Sequence, residues 1–169
     1  FFGNLKQRNK QGKYSYQNKA KIRKLSARTG SKEGRNIDFA VVDEVHEMKS
    51  ETLIMPIRQS MSTKLEPLLI EITTEGFTTD GYLDKLLVDA RRVLNNEIER
   101  PDWLVWLCTQ DDENQVWQDE STWAMSNPGL GTIKNINFLR NMINEAKSTS
   151  GTRSYVLAKD FNLKQNASV

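Results

Sequence analysis

The chain has 169 residues, enough for one domain with a single core, and its 37% hydrophobic and 27% charged content leaves generous solvated faces. One cysteine (Cys108) and one histidine (His46) exclude an internal disulfide and a zinc tetrad, and fit a reducing cytoplasm. No apolar run approaches the roughly 18 residues that span a bilayer, and FFGNLKQRNK has no apolar signal-peptide region, so no membrane partner is expected.

The net charge of +2 hides an asymmetry. Residues 1–36 carry eleven Lys or Arg and one acid, Glu33, whereas the rest carries thirteen basic and twenty-one acidic side chains. This basic arm, Lys6 to Arg35 with Phe1, Phe2, Tyr14 and Tyr16 nearby, suits phosphates and stacked bases. Charge alone fits better still a solvated arm, or a stretch whose packing partner lies upstream.

Within the arm, KIRKLS (21–26) alternates crudely and reads as a short strand, followed by the turn-rich ARTGSKEGRN. IDFAVV (37–42) is a short, nearly continuous apolar run, the pattern of a parallel strand covered on both faces. ETLIMPIRQSMS (51–62) reads as a helix interrupted or kinked at Pro56. LLIEIT (68–73) is a second strand after Pro67. Residues 79–99 form the most helical stretch, with Leu83, Leu86, Leu87, Ala90 and Leu94 at threes and fours and Pro101 as the stop. WLVWLCT (103–109) is a third apolar run, followed by an acidic loop, QDDENQ. Helices are expected over about 119–125 and 135–147, separated by the breaker-rich SNPGLG. Strands alternating with helices imply βαβ units and a mainly parallel sheet, with ligands at the carboxyl ends of the strands.

Two clusters fall at such ends. FAVVDEVHEM delivers Asp43 and Glu44 from a strand in different directions. Phosphoryl transfer to water uses two such carboxylates: Asp43 to hold Mg²⁺ through its water shell, Glu44 to orient or deprotonate the attacking water. His46 follows, near enough to link the site to moving parts. LLIEITTEGF ends its strand in Thr73 and Thr74, whose hydroxyls both donate and accept and so suit a phosphate oxygen and a water together. Gly76 permits a sharp turn after them. A phosphate-cradling G-x-x-x-x-G-K-[ST] is missing from the sequence. GSKEGRN has three residues between its glycines and no Lys after the second.

DEVHEM, PLLIEITTEGF, an acidic stretch with Trp117 and Trp123, SNPGLG and KDFNLKQN, in that order, resemble the ATPase region of the large terminase subunit of tailed phages. The resemblance covers roughly residue 36 to the C-terminus. It implies an α/β, partial RecA-like fold of the P-loop NTPase type, a mainly parallel sheet flanked by helices, without the P-loop strand and with a helical C-terminal segment. It implies an ATP-driven motor that packages double-stranded DNA in the host cytoplasm, working as an oligomeric ring with the portal protein and the small terminase subunit. Glu44, Thr73 and Thr74 match catalytic and coupling positions; Asp43 and His46 match the nucleotide side, with Asp43 the Mg²⁺ position. Lys64 stands where the family often has an Arg, and a Lys loses that residue's planar fork. TTEG replaces the common TTAG, adding Glu75. Asn127 and Pro128 match an NP element.

The expected organisation is a basic arm (1–36), the C-terminal half of the ATPase core (37–132) and a helical linker region (133–169) leading toward a nuclease domain. Without a phosphate cradle, the chain alone is expected neither to hydrolyse nor to bind ATP tightly, and a truncated sheet edge invites a dimer. Two alternatives are a DExH-box helicase-like ATPase, from Asp43-Glu44-Val45-His46, and a non-catalytic DNA-binding or assembly module built on the basic arm.

Overall fold

The computed structural model describes residues 7–8, 14–15, 21–22, 24–25, 36–77 and 79–165. Most of the basic arm, the GSKEGR part of GSKEGRN and Asn166 of KDFNLKQN lie outside them. The chain divides into two compact units, one made of Phe1–Phe39 with Thr52–Leu68 and the other of Ala40–Glu51 with Leu69–Val169.

In the first unit, β1 (Gln7–Arg8), β2 (Tyr14–Ser15) and β3 (Lys21–Ile22) form an antiparallel sheet in the order β1-β2-β3, with Tyr14 opposite both Arg8 and Ile22. Of the strand expected over 21–26, only Lys21–Ile22 is realised among the described residues. Helix α1 (Ile54–Ser60) is shorter than expected and has no break. Pro56 is its third residue, in the first turn, where its missing N–H would have had no partner inside the helix. The proline therefore marks where the helix begins. The Ser60 hydroxyl returns to the Pro56 carbonyl at 2.6 Å, and Ile37 N–H donates to the Ser60 carbonyl.

The second unit takes up all but the first residue of β4 (Phe39–Asp43) and β5 (Leu68–Ile72), which pair with each other. Their starts meet through Leu68 N–H on the Asp38 carbonyl, and their far ends meet through His46 and Thr73, so the strands run parallel. Side chains alternate strictly in exposure. Val42 is buried, while Val41, Ile70 and Ile72 are exposed, so the continuous apolar run is not covered on both faces among the described residues. A 3₁₀ turn (Val45–Glu47) follows β4, and Tyr82 N–H donates to the Met48 carbonyl at 2.9 Å, fixing the start of α2 (Tyr82–Leu94) against it. The Asp84 carboxylate accepts from the Gly81 N–H, closing the N-terminus of α2. The helix ends at Asn95 and Asn96, the latter left-handed at φ 57°, before the proline expected to stop it.

The third apolar run, 103–109, is not a strand. Its side chains alternate as a strand's would, with Leu104 87% and Trp106 80% exposed, but no described strand pairs with it. At its start Trp103 N–H donates to the Arg100 carbonyl, and at its end Asn162 holds the Cys108 carbonyl and the Thr109 hydroxyl.

The remaining residues build the largest core. QDDENQ is partly helical, because Asp112 caps α3 (Glu113–Gln118) by accepting from Asn114 N–H at 3.0 Å. Asp119 does the same for a 3₁₀ helix (Glu120–Met125), and Asn135 for α4 (Ile136–Ala146). Helix α5 (Ser150–Phe161), which falls within the expected helical C-terminal segment although no residue pattern singled it out, completes the layer. Val116, Trp123, Leu139, Ile143, Ala146, Val156, Leu157 and Phe161 pack as one cluster, with Trp123 edge-on to Phe161 at 5.9 Å. Residues 113–125 thus share a core with α4 and α5.

Candidate active site at the strand ends

At the end of β4 the chain turns abruptly. Glu44 sits in the left-handed region at φ 56°, which costs a non-glycine residue about 1–2 kcal/mol, and Asp43 Oδ1 accepts its N–H at 2.9 Å. That turn separates the two acids: both are exposed, and only Glu44 reaches the histidine. His46 is 5% exposed, held beneath the rim by the 3₁₀ turn.

The end of β5 meets this turn through one hydroxyl. Thr73 Oγ1 accepts from His46 N–H at 3.1 Å, lies 2.9 Å from His46 Nδ1, and donates to the Thr74 carbonyl at 2.7 Å. Its hydrogen-bonding capacity is full. Glu44 Oε2 lies 3.2 Å from the same Nδ1. On the other side of the ring, Lys159 Nζ of α5 approaches Nε2 to 2.9 Å and Thr74 Oγ1 to 3.4 Å, while Glu47 Oε1 lies 3.2 Å from Nε2.

Gly76 closes the floor. A Cβ there would lie 2.4 Å from His46 Cδ2, so any side chain would evict the imidazole. Its backbone has no positive φ, so the glycine is required by close approach and not by the turn geometry expected of it. Glu75 is 6% exposed, with Oε1 accepting from Gly76 N–H and lying 3.6 Å from Lys164 Nζ.

Of the site residues expected from sequence, Glu44, His46, Thr73 and Thr74 are joined in one network, with Asp43 at its edge on the same turn. Lys64 belongs to the first unit, where its ammonium is 2.8 Å from Asp38 Oδ1. Lys159 and Glu47 have no role in the sequence reading, and only the position of Lys159 inside KDFNL hinted at it. The donor set at the acidic turn fits magnesium. Mg²⁺ in nucleotide sites uses one or two carboxylates and fills its other positions with water and phosphate oxygens, which suits the exposed Asp43. No group of three or more metal-ligating side chains gathers among the described residues.

KDFNL itself is accounted for residue by residue. Lys159 reaches His46; Asp160 pairs with Lys134; Phe161 is fully buried in the core; Leu163 packs against it. Asn162, left-handed at φ 51°, takes Glu75 N–H on Oδ1 at 3.0 Å and donates Nδ2–H to the Cys108 carbonyl at 2.7 Å. Its own carbonyl accepts from the Thr109 hydroxyl at 2.8 Å. The NP element belongs to the same construction. Asn127 Nδ2 donates to the Asp160 carbonyl at 2.8 Å, and its Oδ1 accepts from Lys134 at 2.8 Å.

Residues 5–92 match the model of the terminase large subunit ATPase domain, slightly more than half of the chain. The chain belongs to that family. This sets it with terminases and not with the helicase-like ATPases suggested by the D-E-x-H string. A curated relative from Escherichia coli K12, Protein YmfN, is 26% identical over 131 residues, covering 78% of this chain and 29% of that protein. In fold, the chain is similar to the crystal structure of the HK97 bacteriophage large terminase, with a TM-score of 0.70 at 20% identity, over 90% of this chain and 31% of that one. The terminase-family chain therefore spans less than a third of the length of either protein. Its small parallel sheet flanked by helices is the α/β arrangement expected of the family. No helix among the described residues is long and apolar enough to cross a membrane.

Proposed function

We propose that the strand-end network is the hydrolytic half of an ATP site in a phage DNA-packaging motor. In this reading Glu44 orients or deprotonates the water that attacks the terminal phosphate. Asp43 holds Mg²⁺ through its water shell, and the ion would neutralise charge on the phosphates. Thr74 registers the terminal phosphate, and Thr73, bonded to His46, passes its loss onward. His46 ties the two strand ends. The complete protein would act as a ring in the host cytoplasm, moving double-stranded DNA with the portal protein and small terminase subunit. Residues 133–169 would lead toward a nuclease domain, and the basic arm would serve the rest of the ATPase fold or the DNA.

The observation that carries this reading is the Thr73 hydroxyl, bonded at once to the backbone and close to the ring of His46. It makes the acidic turn and the threonine strand end a single rigid rim, as a site must be if one terminal phosphate is to face both. In the complete protein, Glu44→Gln is expected to lower ATP turnover by roughly 10²–10⁴-fold, the range for loss of a general base, with nucleotide binding retained. Full turnover by that variant would remove Glu44 from the chemistry.

A further inference from the structure

We propose that Lys159 is a positioning residue of this site: it fixes His46 as the neutral Nδ1–H tautomer and so aims the imidazole proton at Thr73 and Glu44. The Thr73 hydroxyl proton goes to the Thr74 carbonyl, and its oxygen already accepts from the His46 amide. A bond between Thr73 Oγ1 and Nδ1 at 2.9 Å therefore needs the proton on Nδ1. At the opposite corner, a lysine ammonium can only donate, so Nε2 at 2.9 Å from Lys159 Nζ must be the acceptor. Both ends give the same tautomer. With the proton on Nδ1, the Glu44 carboxylate at 3.2 Å is attracted to that corner. Glu47 Oε1, at the same distance from Nε2, finds no proton there.

Lys159 can do this because of where α5 ends. It lies in the last turn of the helix, where the dipole favours a cation, and the Asn162 side chain just after the helix bonds the backbone at Glu75 and Cys108. The result is a directed chain of hydrogen bonds from α5 through His46 and Thr73 to the carbonyl of Thr74. Any shift of α5 reaches Glu44 through one imidazole ring.

His46 is the one histidine of the chain, so its two nitrogens can be read without ambiguity from long-range ¹H–¹⁵N correlation spectra of the 169-residue protein. The expected wild-type spectrum has a protonated Nδ1 and an unprotonated Nε2. Lys159→Met leaves the Glu47 carboxylate at Nε2 without the ammonium that opposes it, which should draw the proton there against Thr73 and give the Nε2–H form or an averaged mixture, and Lys159→Arg, whose head group also only donates, should keep the wild-type form. A wild-type ring protonated at Nε2, or a Lys159→Met spectrum unchanged from wild type, would overturn the proposal. If the backbone amide spectrum of Lys159→Met reports misfolding, the wild-type and Lys159→Arg spectra still decide. The consequence for turnover rests on the hydrolytic reading above. In the complete protein, Lys159→Met should lower kcat by about tenfold or more with KM for ATP little changed, and Lys159→Arg should recover much of it. An unchanged kcat would overturn the part of Lys159 in the reaction. Full turnover by Glu44→Gln would instead overturn the hydrolytic reading and leave the imidazole spectra as stated.

Discussion

The strand-end rim and the helical core of the second unit are built on opposite terms. In the core, Trp123, Leu139, Val156, Leu157 and Phe161 are almost wholly excluded from water, and buried donors among them find backbone acceptors. Trp123 Nε1 donates to the Val116 carbonyl, and Gln110 Nε2 to the Thr122 carbonyl. At the rim, two carboxylates stand in solvent, a non-glycine residue is held left-handed, and one buried imidazole joins two strand ends and a lysine. The core supplies stability; the rim stores strain and charge. What joins them is short: five residues, Lys159 to Leu163, of which two are core, two bond to the rim or its flanking loops, and one anchors the NP turn.

The contrast can be broken most violently from the core side. Phe161→Ala should destabilise the protein by about 3–5 kcal/mol, the usual cost of emptying an aromatic site that cannot collapse, seen as a large drop in the denaturant midpoint. A change under about 1 kcal/mol would mean that the Trp123–Phe161 cluster does not carry the fold. A middle-sized effect is expected at the junction. Asn162→Gly keeps the left-handed backbone and removes only the side-chain bonds to Glu75 and Cys108, at a cost of about 1–3 kcal/mol. Amide exchange should speed up first at residues 75 and 108–109 and last in α4; uniform acceleration would deny Asn162 a local role.

The smallest effect belongs to the core's exposed margin. The Arg140 guanidinium beside Glu120 holds that carboxyl below its ordinary range, chiefly by hydrogen bonding. A depressed acid contributes stability above its unfolded-state pKa and loses it as pH falls through the folded one. Unfolding midpoints of wild type and Glu120→Gln should therefore differ slightly near neutrality and converge in acid. The difference should shrink in salt, because both groups are exposed. A gap that widens in acid would contradict the sign.

How much of this was legible depended on whether the signal was local. The strands at 39–43 and 68–72 announced themselves as short apolar runs, and their polar ends named Asp43, Glu44, His46, Thr73 and Thr74. Local chemistry was also enough for α3, had Asp112 been taken as a cap instead of part of a loop. Helix α5 was not legible in the same way. Gly151, Thr152 and Val156 are weak helix residues, and the helix stands because Val156, Leu157, Ala158 and Phe161 are buried against other elements. WLVWLCT illustrates the reverse: a strand-like pattern with no described neighbour to pair with remains an unpaired segment. The part of Lys159 is no more local than α5, since its partner is 113 residues earlier in the chain.

The claim on which the account rests is that one terminal phosphate faces both the acidic turn and the threonine strand end. A structure of the complete terminase with Mg²⁺ and a non-hydrolysable ATP analogue tests it directly. The account predicts the γ-phosphate within a water's reach of the Glu44 carboxylate and hydrogen-bonded, directly or through water, to Thr74, with the metal on the Asp43 side. A γ-phosphate bound away from both strand ends would contradict it.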